Sequence, residues 1–111
     1  KLMWHNLSNA PNPADMTDGE QEIVQSNRVA LALYTWQPYM HNPKLTHRLH
    51  RINVPTLVIW GESDRVVTLD YGRAFSSMIP GSEIVVIPRA GHSPQVEQPE
   101  IFVECVTTFA Q

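Results

Sequence analysis

Cysteine is nearly absent from this 111-residue chain: Cys105 stands alone, so no internal disulfide can staple the fold. Apolar neighbours at helical spacing mark it as a buried thiol rather than a nucleophile or a ligand, and the sparing use of cysteine points to the cytoplasm. Basic charge is scarce as well. Eight Lys and Arg against eleven Asp and Glu give a formal net charge of -3 with no long basic run, which excludes nucleic acid as a partner. No segment approaches the roughly 20 apolar residues that span a bilayer, and no charged-then-apolar leader opens the chain, so no membrane is expected. An initiating Met is missing too; Lys1 comes first, and a processed product or a fragment is the expectation. Repeats and low-complexity tracts are lacking. What remains is one small domain's worth of chain with a limited core.

Residues 1–16, with Trp4, two prolines and several asparagines, read as an irregular connection. Thr17-Asp18-Gly19-Glu20 then has the spacing of a capping box, so a helix begins there. Its Ile23, Ala30 and Tyr34, flanked by Val24, Leu31 and Leu33, make a wide apolar arc that should pack on more than one side and stop before Pro38. A short helix over Lys44 to Ile52 places Leu45, Leu49 and Ile52 on one face and basic residues opposite. His47 and His50 stand three apart there, but no carboxylate or Cys joins them, and a solvated basic face is the better reading than a metal site.

From Val54 the pattern changes. Thr56-Leu57-Val58-Ile59-Trp60 and Ile84-Val85-Val86-Ile87 are continuous β-branched runs, as in parallel strands covered on both faces. Between them Thr68 caps a helix with Tyr71, Ala74, Phe75 and Met78 on one face, ended by Pro80-Gly81. A last helix starts at Pro99, with Glu97 and Glu100 near its positive end, and aims Phe102, Cys105, Val106 and Phe109 at the sheet. A composition shift near Pro43 divides the chain into a helical, aromatic part, residues 1–43, and an α/β part, residues 44–111.

Each strand is followed by a loop bearing an ionisable residue: Trp60-Gly61-Glu62-Ser63-Asp64-Arg65 after the first, and Arg89-Ala90-Gly91-His92-Ser93-Pro94 after the second. Reacting groups in open α/β sheets gather beyond the carboxyl ends of strands, so Asp64 and His92 should lie side by side. Histidine's ordinary pKa, about 6.5, suits general-base work, and a carboxylate accepting its Nδ1 proton would fix the tautomer. Glu62 and Asp70 are rival acids. Gly91 and Gly61 are expected to give their turns conformational freedom.

These two stretches, Pro55 to Asp64 and Ile87 to Glu100, resemble the acid loop and the histidine loop of the α/β-hydrolase superfamily, in the family's order and separation. The resemblance covers the chain from about Ile52 onward, and Trp36-Gln37-Pro38-Tyr39-Met40-His41-Asn42-Pro43 is similar to the end of the helical cap that such enzymes insert over the active site. It implies an α/β fold: the C-terminal portion of an α/β hydrolase (44–111), parallel strands with crossover helices, preceded by the end of a cap (1–43). The roles it carries over are histidine base for His92 and orienting acid for Asp64. Trp36, Tyr39 and Met40, with Trp4, would line a substrate pocket or pack between cap helices.

The departure is the nucleophile. The family's Gly-x-Ser-x-Gly elbow precedes the acid, and no such pentapeptide occurs; Gly61-Glu62-Ser63-Asp64-Arg65 fails at its last position, and neither Ser63 nor Ser93 has glycines on both flanks. The chain thus resembles roughly the last two fifths of a hydrolase. Its expected partners are a small-molecule substrate and the missing N-terminal part, in a second chain or in the same parent chain, and alone it should be inactive. The implied activity is cleavage of an ester, lactone or related acyl bond of a small apolar substrate by a Ser-His-Asp triad, with no metal or organic cofactor. Alternatives on the same fold are an aspartate nucleophile, as in haloalkane dehalogenases and epoxide hydrolases, carbon-carbon bond hydrolysis, or a non-catalytic ligand-binding protein. The family's carbon-carbon hydrolases often carry an aromatic after the histidine, where Ser93 stands.

Overall fold

A computed structural model of the chain describes residues 2–35, 42 and 44–111. They form two compact units, one of Pro11–Leu45 and one of Lys1–Ala10 with Thr46–Gln111.

The Pro11–Leu45 unit contains helix α1, Asp18–Thr35. The capping box is formed: the Thr17 N–H donates to Glu20 Oε2 at 2.8 Å, and the Glu20 N–H donates to Thr17 Oγ1 at 3.3 Å. The Thr17 N–H and the Thr17 hydroxyl, which also donates to Glu20 Oε2 at 2.8 Å, hold the Glu20 carboxyl below its ordinary value. The expected packing on more than one side is not found. No residue of α1 is buried, and Leu33 and Tyr34 are 78% and 89% exposed. A helix buries its apolar face only against another element, and this unit offers no second long helix or strand among its described residues.

The other unit begins with a turn of 3-10 helix at Leu7–Asn9, which Asn6 caps by accepting the Ser8 N–H at 3.0 Å. The short helix α2 is one turn, Thr46–Leu49, less than the pattern predicted, and its single anchor is the buried Leu49. Strand β1, Leu57–Gly61, and strand β2, Glu83–Ile87, then pair in parallel, with register from Leu57 opposite Glu83 to Gly61 opposite Ile87. Helix α3, Leu69–Ser77, makes the crossover; α4, Pro94–Glu97, is a single turn leading into α5, Pro99–Phe109. Both α3 and α5 contact both strands. The core is Leu49, Val58, Ile79, Ile87 and Ala90, and burying Ile87 outright is worth about 1.5–3 kcal/mol.

Three expectations shift. The strands are mostly half-buried rather than covered on both faces, because two strands and two helices of useful length cannot enclose a sheet. Helix α3 packs through Gly72 and Ser76 while Tyr71 stays exposed, since the Trp60 indole lies directly against Gly72. On α5 only Ile101, Phe102 and Cys105 are half-buried; Val106 and Phe109 are exposed, so the Cys105 thiol is not enclosed.

Candidate active site

Register decides what meets beyond the strands. Because Gly61 lies opposite Ile87 at the carboxyl end of the sheet, the chain leaves both strands at the same level. The loops then bond to each other: the Glu62 N–H donates to the Ile87 carbonyl at 3.0 Å and the Ser63 N–H to the Ala90 carbonyl at 2.8 Å. Between β2 and His92 the backbone passes through Arg89 at φ 54°, a left-handed position held by a non-glycine residue.

Asp64 and His92 are brought together. His92 Nδ1 lies 2.9 Å from Asp64 Oδ2. The other oxygen, Oδ1, accepts the N–H groups of Val66 at 2.9 Å and Val67 at 3.0 Å, an Asx turn that fixes the carboxylate before the imidazole reaches it. Burial pushes the Asp64 pKa up, but the His92 hydrogen bond, the Val67 and Val66 N–H groups and the charge of His92 together outweigh it and hold the carboxyl below its ordinary value. The Asp64 side chain is 6% exposed and that of His92 38%, so the anion is enclosed while the imidazole reaches solvent. A neutral imidazole donating from Nδ1 presents Nε2 as an acceptor, the state a general base needs.

The rival acids do not compete. Glu62 is exposed and accepts the Arg89 N–H at 3.3 Å; Asp70 is exposed in the first turn of α3. Ser63 Oγ pairs with His5 Nδ1 at 2.9 Å, and Ser93 stands at the start of α4. Trp4 lines a cavity of about 300 Å³ with His5, Leu7, Ser63 and Arg65. Trp36, Tyr39 and Met40 lie outside the described residues. Among the described residues no three His, Cys, Asp or Glu side chains converge as metal ligands, and no helix is long and apolar enough to cross a membrane.

The opening segment, which reads as an irregular connection, is bound to both loops. The Met3 carbonyl accepts the His92 N–H at 2.6 Å, and the Leu2 carbonyl accepts the Arg65 N–H at 3.4 Å. Glu97, expected only to favour a helix dipole, is buried and accepts the N–H groups of His5, Asn6 and Gly91. Burial raises its pKa, and the Asn6, Gly91 and His5 N–H groups with the Asn9 side chain more than reverse that, leaving it lowered. No periodicity announces the contacts of the opening segment, since most join residues about 90 positions apart through backbone groups that nearly every residue type carries.

Proteins similar to this chain include hydrolases and esterases. Over 67 residues the chain is 42% identical to the 2-hydroxy-6-oxononadienedioate/2-hydroxy-6-oxononatrienedioate hydrolase of Paraburkholderia phymatum, covering 60% of this chain and 23% of that protein. Among solved structures, Est816, an N-acyl homoserine lactone degrading enzyme, aligns with TM-score 0.55 at 41% identity over 58% of this chain and 25% of its own. A thermophilic esterase from Thermogutta terrifontis aligns with TM-score 0.61 at 35% identity, over 64% and 26% respectively. The chain spans about a quarter to a third of the length of the curated relatives it matches. A family model described as the alpha/beta hydrolase family matches residues 2–105. With its parallel strand pair and paired acid and histidine loops, the chain belongs to the α/β-hydrolase family.

Proposed function

We propose that the complete protein cleaves an ester, lactone or related acyl bond of a small apolar substrate, with His92 as general base, Asp64 as its orienting acid and a serine nucleophile supplied from outside these 111 residues. The observation that carries this reading is the 2.9 Å contact between His92 Nδ1 and an Asp64 carboxylate already held by two backbone N–H groups. His92 Nε2 takes the serine proton as oxygen attacks the acyl carbon, and the proton then passes to the leaving group. The acyl-serine is hydrolysed by a water that His92 deprotonates in turn. The 111-residue chain alone is inactive in this reading, because the nucleophile belongs to the N-terminal part of the hydrolase.

The test is intact-mass analysis of the complete protein after treatment with a fluorophosphonate, beside ester and lactone turnover by His92→Ala. Labelling of an upstream serine, and loss of both labelling and turnover in the variant, are expected. A variant that keeps most of its rate overturns the assignment. A second reading, hydrolysis of a carbon-carbon bond in a keto acid, is favoured by the 42% identity to a 2-hydroxy-6-oxononadienedioate hydrolase. Turnover of a 2-hydroxy-6-oxodienoate without ester turnover would select it, and ligand binding without any turnover would make the protein a binding module.

A further inference from the structure

We propose that Glu97 is a positioning residue for His92, the clasp of a strap formed by residues 2–9; the proposal rests on the reading of His92 as the general base.

Glu97 is 8% exposed, and no cation faces it among its hydrogen-bond partners. Its charge is met by amide donors. Oε2 accepts the Gly91 N–H at 2.6 Å and the His5 N–H at 3.1 Å; Oε1 accepts the Asn6 N–H at 2.9 Å and the Asn9 side-chain amide at 3.5 Å. One carboxylate therefore grips the residue preceding His92 and two consecutive residues of the strap. The strap in turn grips the reacting pair, for the His92 N–H donates to the Met3 carbonyl and the Arg65 N–H, one residue past Asp64, donates to the Leu2 carbonyl. A Cβ on Gly91 would run into the Met3 carbonyl, so strap and histidine loop are in direct backbone contact. Only a carboxylate has two oxygens that both accept; an amide would turn a donor toward donors. Releasing the Gly91 N–H lets the His92 backbone shift relative to Asp64, and a displacement of about 1 Å in a reacting group costs on the order of 100-fold in rate.

The experiment compares the complete hydrolase with its Glu97→Gln and Glu97→Asp variants. It measures kcat and KM on a short acyl ester, normalised to the folded fraction by circular dichroism, and the downfield Nδ1 proton resonance of His92 by NMR. Glu97→Gln is expected to lower kcat about 10- to 100-fold with KM little changed and to broaden or remove the resonance; Glu97→Asp should restore part of both. A folded Glu97→Gln protein with wild-type kcat and an unchanged resonance overturns the proposal. Should Glu97→Gln fail to fold, Glu97→Asp decides: a reduced kcat and a weakened resonance support the proposal, and wild-type values overturn it. Loss of the resonance with kcat unchanged keeps Glu97 as the residue that positions His92 and instead sinks the role of His92 as the base.

Discussion

A side-chain carbon at Gly61 would collide with the carbonyls of Gly91 and Ala90, the second at 2.7 Å. Neither Gly61 nor Gly91 has a positive φ, so the conformational freedom expected of them is not what the loops use; Gly81, at φ 72°, is the glycine that does. What Gly61 and Gly91 supply is room for backbone to pass against backbone. Gly61→Ala is therefore expected to destabilise the complete protein by about 1–3 kcal/mol, read by denaturant unfolding, with activity falling as the two loops part. Asp64→Asn removes the acceptor that sets the imidazole tautomer while keeping its shape, and kcat on an acyl ester should fall by about 10⁴-fold with the fold intact. The two lowered carboxyls beside the histidine loop also set an acid limit. Asp64 and Glu97 lie below their ordinary values of 3.8 and 4.5, so the native state binds fewer protons than the unfolded chain across that window. The stability they confer is complete above those values and is lost as pH falls through the lower native ones. Thermal midpoints measured from pH 7 down to pH 3 should drop at the acid end, and the drop should be shallower in Glu97→Gln.

Among elements, α3 and β1 show how one residue sets a packing face. The indole of Trp60 occupies the space a Cβ at Gly72 would need, 2.6 Å from its Cδ2, while its Nε1 donates to the Val67 carbonyl at 3.0 Å. The Tyr71 ring stands 6.4 Å from the Trp60 ring. Gly72→Ala should push the indole out, cost about 1–3 kcal/mol in an unfolding titration and red-shift the tryptophan emission as that ring meets water. Sequence pattern located both strands to within a residue, the crossover helix between them and the capping box of α1, because strand period, cap chemistry and Pro-Gly stops are local. It misjudged the buried face of α3, since the deciding contact is with a Trp twelve residues earlier on another element. It also misjudged the burial of α1, since apolar spacing states what a helix can bury and not whether anything is there to cover it.

At the scale of the whole chain, β1 and β2 have one strand neighbour each among the described residues, and each strand leaves an edge of unpaired amides. Separately, Ile23, Leu31, Leu33 and Tyr34 of α1 are exposed. Open edges and apolar surface drive association, so the 111-residue chain expressed alone should elute as aggregates in size-exclusion chromatography, while co-expression with the upstream part of the hydrolase should return it to a discrete species. A monodisperse monomer would count against this. The fold class and the family were legible in two loops, because the α/β architecture confines reacting groups to strand ends, and Asp64 and His92 stand 28 residues apart at two such ends. From the sequence alone came the strands, their crossover, the pairing of acid with histidine and the absence of the elbow that would carry a serine. Tertiary structure alone decided why Gly61 and Gly91 must be glycine and that residues 2–9 and Glu97 bind the histidine loop. Each of those contacts has a backbone group on at least one side, most of them far apart in the chain, and a backbone amide leaves no trace in the identity of the residue that carries it.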